Sequence, residues 1–229
     1  MAIQKTEAIL LRRQEVRETS LILIAMTRDF GKIHGLVKGV RGARAAVPWY
    51  LEPLTLQAIV LYERRRSSVA LISAFDLIDA FDPIRRDLAK ISYASLFLDL
   101  VDGMTETGDP HPEIFDLLLH TLQALASTID PRSLARSFEA HLLSLSGLLP
   151  DGISLNLSLG SKMSLQQILQ TPLDRLGRVR LSRAVEAELR GVLESFLTRA
   201  LDRQLKSRIF LQALSLESPS ERVSVHEPA

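Results

Sequence analysis

The chain contains no cysteine, which excludes disulfides, thiol nucleophiles and thiolate metal sites. Its five histidines, His34, His111, His120, His141 and His226, stand too far apart in sequence to suggest a compact cluster, so neither a metal nor a cofactor is expected. Aromatic residues make up only 5% of the chain, with a single tryptophan. Any platform on which bases could stack must therefore be built from few rings. No apolar run approaches the roughly 20 residues that a membrane helix requires, and Met1-Ala2-Ile3-Gln4-Lys5 lacks a signal-peptide core. The expectation is a soluble cytoplasmic protein without membrane contact. There is neither a P-loop nor a Gly-x-Gly-x-x-Gly fingerprint leading into a helix, and no His-Glu-x-x-His or Ser/His/Asp pattern. Catalytic residues are thus not expected, and the chain reads as a non-enzyme.

Net charge is also nearly absent, at +1, but it is unevenly distributed. Residues 1–70 hold 12 Lys/Arg against 6 Asp/Glu, residues 71–150 hold 5 against 12, and residues 151–229 hold 11 against 9. Polyanions respond to local potential rather than to net charge. The densest cationic stretch is Gly31-Lys32-Ile33-His34-Gly35-Leu36-Val37-Lys38-Gly39-Val40-Arg41-Gly42-Ala43-Arg44. Its glycines let a backbone approach phosphate closely, and Lys32, Lys38, Arg41 and Arg44 supply charge without sequence readout. The bland alternative is a hairpin that needs glycines and a solvated face.

The first eighty residues carry five short β-branched and aliphatic runs, at 6–13, 20–27, 32–38, 54–62 and 68–75. Arg28-Asp29-Phe30-Gly31 reads as a tight hairpin with Gly31 at positive φ, and residues 39–53, with two glycines and two prolines, as a long loop. Five strands with one long connection after the third fit a Greek-key barrel of the OB type, with an SH3-like barrel as competitor. From Asp82 the period becomes helical, through Ile84, Leu88, Ile91, Ala94, Ser95, Leu98 and Val101. Helices are predicted over 113–128 and 131–148, the latter with Asp130 as N-cap and Pro131 at the first helical position. An irregular connection follows over 148–160, then a short helix over 164–170 and one long or two abutting helices over 182–214. The fold class is α+β: an OB-type barrel over 1–80, an all-helical domain over 81–214 and a disordered tail over 215–229.

Further candidates are weaker. Arg64, Arg65 and Arg66 fall in the predicted turn between the last two strands, and Arg12, Arg13 and Arg17 lie in and after the first. Both are a secondary set for phosphate contact, with plain solvation of the turn as the alternative for Arg64 to Arg66. Trp49 and Tyr50, in the long loop, could stack on bases, although Trp49 could equally pack onto the helical domain. Asp99, Asp102, Glu106, Asp109, Glu113 and Asp116 read as solvated carboxylates near helix ends rather than as a metal or acid-base site. Arg199, Arg203, Lys206 and Arg208, near the C-terminus, could face an acidic protein partner or DNA, with a solvated helix face as the plain alternative.

Several segments carry a resemblance. Glu7-Ala8-Ile9-Leu10-Leu11, Glu18-Thr19-Ser20-Leu21-Ile22-Leu23, Thr27-Arg28-Asp29-Phe30-Gly31-Lys32-Ile33, Val37-Lys38-Gly39-Val40-Arg41 and Leu51-Glu52-Pro53-Leu54 resemble the N-terminal domain of RecO, the bacterial recombination mediator family. Leu205-Lys206-Ser207-Arg208-Ile209-Phe210-Leu211 is similar to the family's Leu-Lys-Ser-Arg-x-Phe-Leu element. The resemblance implies an OB domain followed by a helical domain. It also implies binding of single- and double-stranded DNA, strand annealing, and help in loading RecA onto DNA coated by single-strand-binding protein, with RecR as partner and the nucleoid as the place of action. Many members carry four zinc-site cysteines after the third helix, where this chain has none. The competing reading is an adaptor for acidic peptides such as the tail of single-strand-binding protein, and an RNA-binding OB module is a third.

Overall fold

The computed structural model describes residues 3–16, 18–40, 48–62, 69–150, 155–201, 205 and 207–211. Five strands, β1 (Ile3–Val16), β2 (Ser20–Thr27), β3 (Gly31–Val37), β4 (Leu56–Tyr62) and β5 (Val69–Asp79), close into a barrel in the order β1-β2-β3-β5-β4. All pairings are antiparallel except β3 with β5, where His34 faces Val69 and Leu36 faces Leu71. That single parallel closure, reached through a long connection, is the OB-type arrangement. β1 serves two neighbours, pairing β4 over its first half and β2 over its second, with a register shift between Leu10 and Arg12. A bulge of this kind lets one strand bend around a barrel corner.

β2 reads Ser-Leu-Ile-Leu-Ile-Ala-Met-Thr, an apolar run rather than an alternating one, because both of its faces are covered. Leu21, Leu23 and Ala25 join Ala8, Leu10, Ile59 and Leu61 in the barrel interior. Ile24 and Met26 point the other way and, with Ile9, Leu11, Leu54 and Leu56, share one continuous core with the helices. Barrel and helices are therefore joined through apolar packing, the dominant favourable contribution to folding.

The helices are α1 (Asp82–Arg85), α2 (Leu88–Met104), α3 (Pro112–Ser127), α4 (Pro131–Leu145), α5 (Leu159–Gln170) and α6 (Arg183–Leu201). Asp130 caps α4 at the Ser133 amide as the sequence predicts. The predicted first helix is instead two, because Asp87 caps a new start at the amides of Ala89 and Lys90. α5 begins five residues before its predicted start. It buries only Ser161, Leu165 and Ile168 while Leu159 is 75% exposed, which blurs the apolar period. A 3₁₀ helix over Leu173–Arg178 was not anticipated. The final helical prediction holds through Leu201 and again over residues 207–211, whereas the tail from 215 lies outside the described residues. Among the described residues no helix is long and apolar enough to cross a membrane.

The joint between barrel and helices is tightly specified. Gly31 has φ +64, and a Cβ there would lie 1.9 Å from the Asp109 carbonyl oxygen, so the close approach requires glycine. The Gly108 amide donates to the Lys32 carbonyl at 2.9 Å. Leu54 and Phe81 adopt positive φ, and the Arg85 guanidinium holds both neighbourhoods by donating to the carbonyls of Ala80, Pro53 and Leu54 at 2.7–2.9 Å.

Candidate nucleic-acid interface

The basic run begins in β3, and its four cations do not share one fate. Lys32 is 8% exposed, and its ammonium donates to the carbonyl of Asp102 in α2 and lies 3.4 Å from the Asp102 carboxylate. It ties barrel to helices and is not placed to meet a phosphate, which corrects the sequence expectation: a buried cation needs a fixed partner, and Asp102 is that partner. Lys38, just past the end of β3, is exposed. Arg41 and Arg44, along with Arg17, Arg64, Arg65 and Arg66, lie outside the described residues.

Three further barrel cations are engaged by carboxylates. Arg12, with a 59% exposed side chain, reaches the same Asp102 at 3.2 Å, and Arg13 reaches Glu52 at 2.6 Å. Arg28, in the hairpin between β2 and β3, donates from two nitrogens to Glu7 at 2.8 and 3.0 Å and from a third to Asp116 in α3, with its guanidinium 4.5 Å above the Phe115 ring. Partial burial disfavours its charged form, but the hydrogen bonds and nearby charges of Glu7 and Asp116 prevail and raise its pKa. Two members of the acidic stretch, Asp102 and Asp116, thus face the barrel rather than water. Arg28 and Arg85 were not singled out from the sequence, although Arg28 sits in a hairpin whose glycine was.

Trp49 opens a short 3₁₀ turn (Trp49–Leu51) and is 58% exposed, so it does not pack onto the helices. Its ring meets Tyr50 edge-on with centroids 6.2 Å apart. Tyr50 packs against the barrel core, and its carbonyl accepts from the Gln57 side chain and from Thr55 at 3.3 Å. The backbone beneath the exposed indole is therefore held in place. Trp49 and Lys38 stand on the same β3–β4 connection, an aromatic face and a cation open to solvent.

The C-terminal surface is divided. Arg199 is exposed, with its guanidinium 5.7 Å from the Phe196 ring. Arg208 instead binds Glu139 at 2.9 Å and Glu194 at 3.5 Å, which removes it from the expected partner surface. Glu139 is fully buried, and burial pushes its carboxyl above the ordinary range while Arg136 and Arg208 pull it down. Arg203 and Lys206 lie outside the described residues.

Where the resemblance places zinc-site cysteines, α5 is held by other means. The Glu188 carboxylate accepts from the amide and hydroxyl of Ser158, at 2.6 and 2.7 Å, and from the Ser161 hydroxyl. These bonds hold the Glu188 carboxyl below its usual range. His141 meets the Ile168 carbonyl at 3.0 Å. With hydroxyls and carbonyls already paired and no thiolate, this region does not fit zinc. Among the described residues no group of three or more His, Asp or Glu could hold a metal ion.

Comparison with known proteins agrees with this architecture. The family model described as recombination protein O N terminal matches residues 1–81, and that described as recombination protein O C terminal matches residues 85–154 and 151–209. The chain is 29% identical to the DNA repair protein RecO of Pelotomaculum thermopropionicum over 244 residues, covering 92% of this chain and 94% of that relative. It is 26% identical to the DNA repair protein RecO of Moorella thermoacetica over 245 residues, covering 92% and 91%. A 32% identical match to the DNA repair protein RecO of Alkaliphilus metalliredigens spans 147 residues, 64% of this chain and 59% of that relative. With a closed five-stranded barrel leading into helices and both family models matched in order, the chain belongs to the RecO family of DNA repair proteins.

Proposed function

We propose that this protein is a non-enzymatic recombination mediator. It binds single- and double-stranded DNA without sequence readout, anneals complementary strands and assists loading of RecA onto DNA coated by single-strand-binding protein, with RecR as partner, at the nucleoid in the cytoplasm. The observation that carries the reading is the exposed Trp49 and Lys38 on one connection of an OB-type barrel: single-strand binding by such barrels combines aromatic stacking with cations along the backbone. Arg41 and Arg44 continue the cationic sequence after Lys38, and Arg12, only partly engaged by Asp102, extends it. Arg13, Arg17 and Arg64 to Arg66 form a secondary set. A cationic surface of this kind lowers the repulsion between two strands and needs no catalytic residue.

With Lys32 committed to Asp102, about four phosphates remain to be neutralised, giving a slope of roughly −3 in log affinity against log salt for single strands. Fluorescence anisotropy of a labelled single-stranded oligomer at several salt concentrations tests this. The variant K38E/R41E/R44E should bind at least about tenfold more weakly, with a slope about 2 units shallower. Unchanged binding would overturn the assignment. A second reading, an adaptor for acidic, apolar peptide tails, is favoured by the exposure of Ile209 and Phe210 together with Arg199 near the C-terminus. It predicts peptide binding that survives the barrel charge reversals.

A further inference from the structure

A row of exposed arginines, with exposed Asp174 at its start, lies in the helical part. From Leu173 to Arg183 the chain alternates its burial: Leu176 is fully buried, Leu173, Val179 and Leu181 are partly so, and Arg175, Arg178, Arg180 and Arg183 all face solvent. The backbone is fixed at several points. Gly177 lies directly on α3, where a Cβ would sit 3.1 Å from the Ala124 Cβ. The Leu181 amide donates to the Ser133 hydroxyl at 2.9 Å, which sets the strip beside exposed Arg132 at the start of α4. Arg180 donates to the carbonyls of Gly177 and Val179 at 2.8 Å. The Ser182 hydroxyl accepts from the Val185 amide as α6 begins.

Among the described residues none of these five arginines has a carboxylate within ion-pair distance, in contrast to the barrel's Lys32, Arg12, Arg13 and Arg28. Glu186, near Arg183 in sequence, is turned toward Arg136 at 3.9 Å. We infer that this arginine strip, Arg132 with Arg175, Arg178, Arg180 and Arg183, is a second binding site for the DNA phosphate backbone, separate from the barrel. The assignment rests on the DNA-binding reading above. Guanidinium forks match phosphate geometry bidentately. Arg175 and Arg178 stand one 3₁₀ turn apart, about 6 Å along its axis, and Arg178 and Arg180 share one side of an extended stretch about 7 Å apart, so the charges form a row. Every apolar side chain of the strip is turned inward, leaving no anchor of the kind that dominates protein interfaces. Backbone binding of nucleic acid needs charge alone.

The barrel touches α3 near Asp116, whereas the strip lies against Ala124, eight residues or about 12 Å further along the helix. One chain can then hold two strands at once, which would bring complementary strands together.

The test uses the full chain with two non-complementary single strands, one carrying a donor dye and one an acceptor, so that energy transfer reports bridging while anisotropy reports capture of one strand. R175E/R178E/R180E should keep single-strand affinity within about threefold, lose bridging at least about tenfold, and show a second-strand salt slope about 2 units shallower. R175Q/R178Q/R180Q, with no charge reversal to disturb folding, should show the same loss of bridging. Undiminished bridging in a variant that melts like wild type overturns the inference, as does competition at the strip by an acidic peptide but not by an oligonucleotide, which would make it a protein surface. A wild type that binds one strand but never bridges overturns the strip alone. A wild type that binds no DNA overturns the proposed function as well.

Discussion

Replacing Arg208 with methionine removes one of two guanidinium groups that neutralise a carboxylate with no access to solvent. Glu139 is 0% exposed, Arg136 lies 3.2 Å away on the same helix, and Arg208 reaches across from the C-terminal segment at 2.9 Å. Removing one member of a buried pair costs about 3–5 kcal/mol. A single hydrogen bond to a charged group contributes about 1.5–3 kcal/mol. Because Arg136 remains, the loss should fall near the lower range, about 2–3 kcal/mol, or roughly 4–12 °C in melting temperature for a chain of this size. The loss should also depend on pH. Burial already raises the Glu139 carboxyl, and loss of Arg208 raises it further. At low pH the carboxyl is protonated in both proteins and the ionic part of the deficit vanishes. The deficit grows as pH climbs from the wild type's raised folded-state value to the variant's still higher one. Urea unfolding of wild type and Arg208→Met at pH 5 and pH 8 measures it. No deficit at either pH would refute the claim that Arg208 anchors the C-terminal segment through a buried carboxylate.

Two further outcomes follow from the joint and the loop. Gly31→Ala must combine a left-handed backbone with a clash against the Asp109 carbonyl, so it should lose about 2–5 kcal/mol in chemical denaturation. Gly39→Ala, with φ +70 but open space around it, should lose only about 1–2 kcal/mol, and similar losses for the two would contradict the close approach at residue 31. Trp49→Ala should leave stability within about 0.5 kcal/mol of wild type while weakening single-strand binding about 5- to 150-fold, the worth of one stacked base. A stable variant with unchanged affinity would remove Trp49 from the interface.

The barrel was legible because its strands carry their own local signals: β-branched runs, a glycine hairpin at Arg28 to Gly31 and proline-bounded loops. Asp130-Pro131 announced α4 just as directly. Where local signals weaken, so does the reading. α5 exposes Leu159 and Met163 at its start, so its first turn has no apolar period to detect. Charge was harder still, since a one-dimensional count does not reveal which cation finds which carboxylate. The basic excess of residues 1–70 and the acidic excess of residues 71–150 partly cancel across the joint, through Lys32 and Arg12 on Asp102 and Arg28 on Asp116. Lys38, just past the end of β3, stays exposed, while Lys32, within that strand and beside α2, does not. Arg175, Arg178 and Arg180 fall between the helices predicted over 164–170 and 182–214, with Arg183 at the start of the latter, and no local signal there announces the 3₁₀ helix over Leu173–Arg178 that carries Arg175 and Arg178.

The most direct test of the account is annealing of two complementary labelled single strands, followed without nucleotide or added metal, across a range of salt concentrations. A cationic, strand-pairing surface should accelerate annealing over the spontaneous rate at protein concentrations that saturate single-strand binding, an effect lost as salt rises and in K38E/R41E/R44E. Saturated single-strand binding with no acceleration, or acceleration that is indifferent to salt, would contradict it.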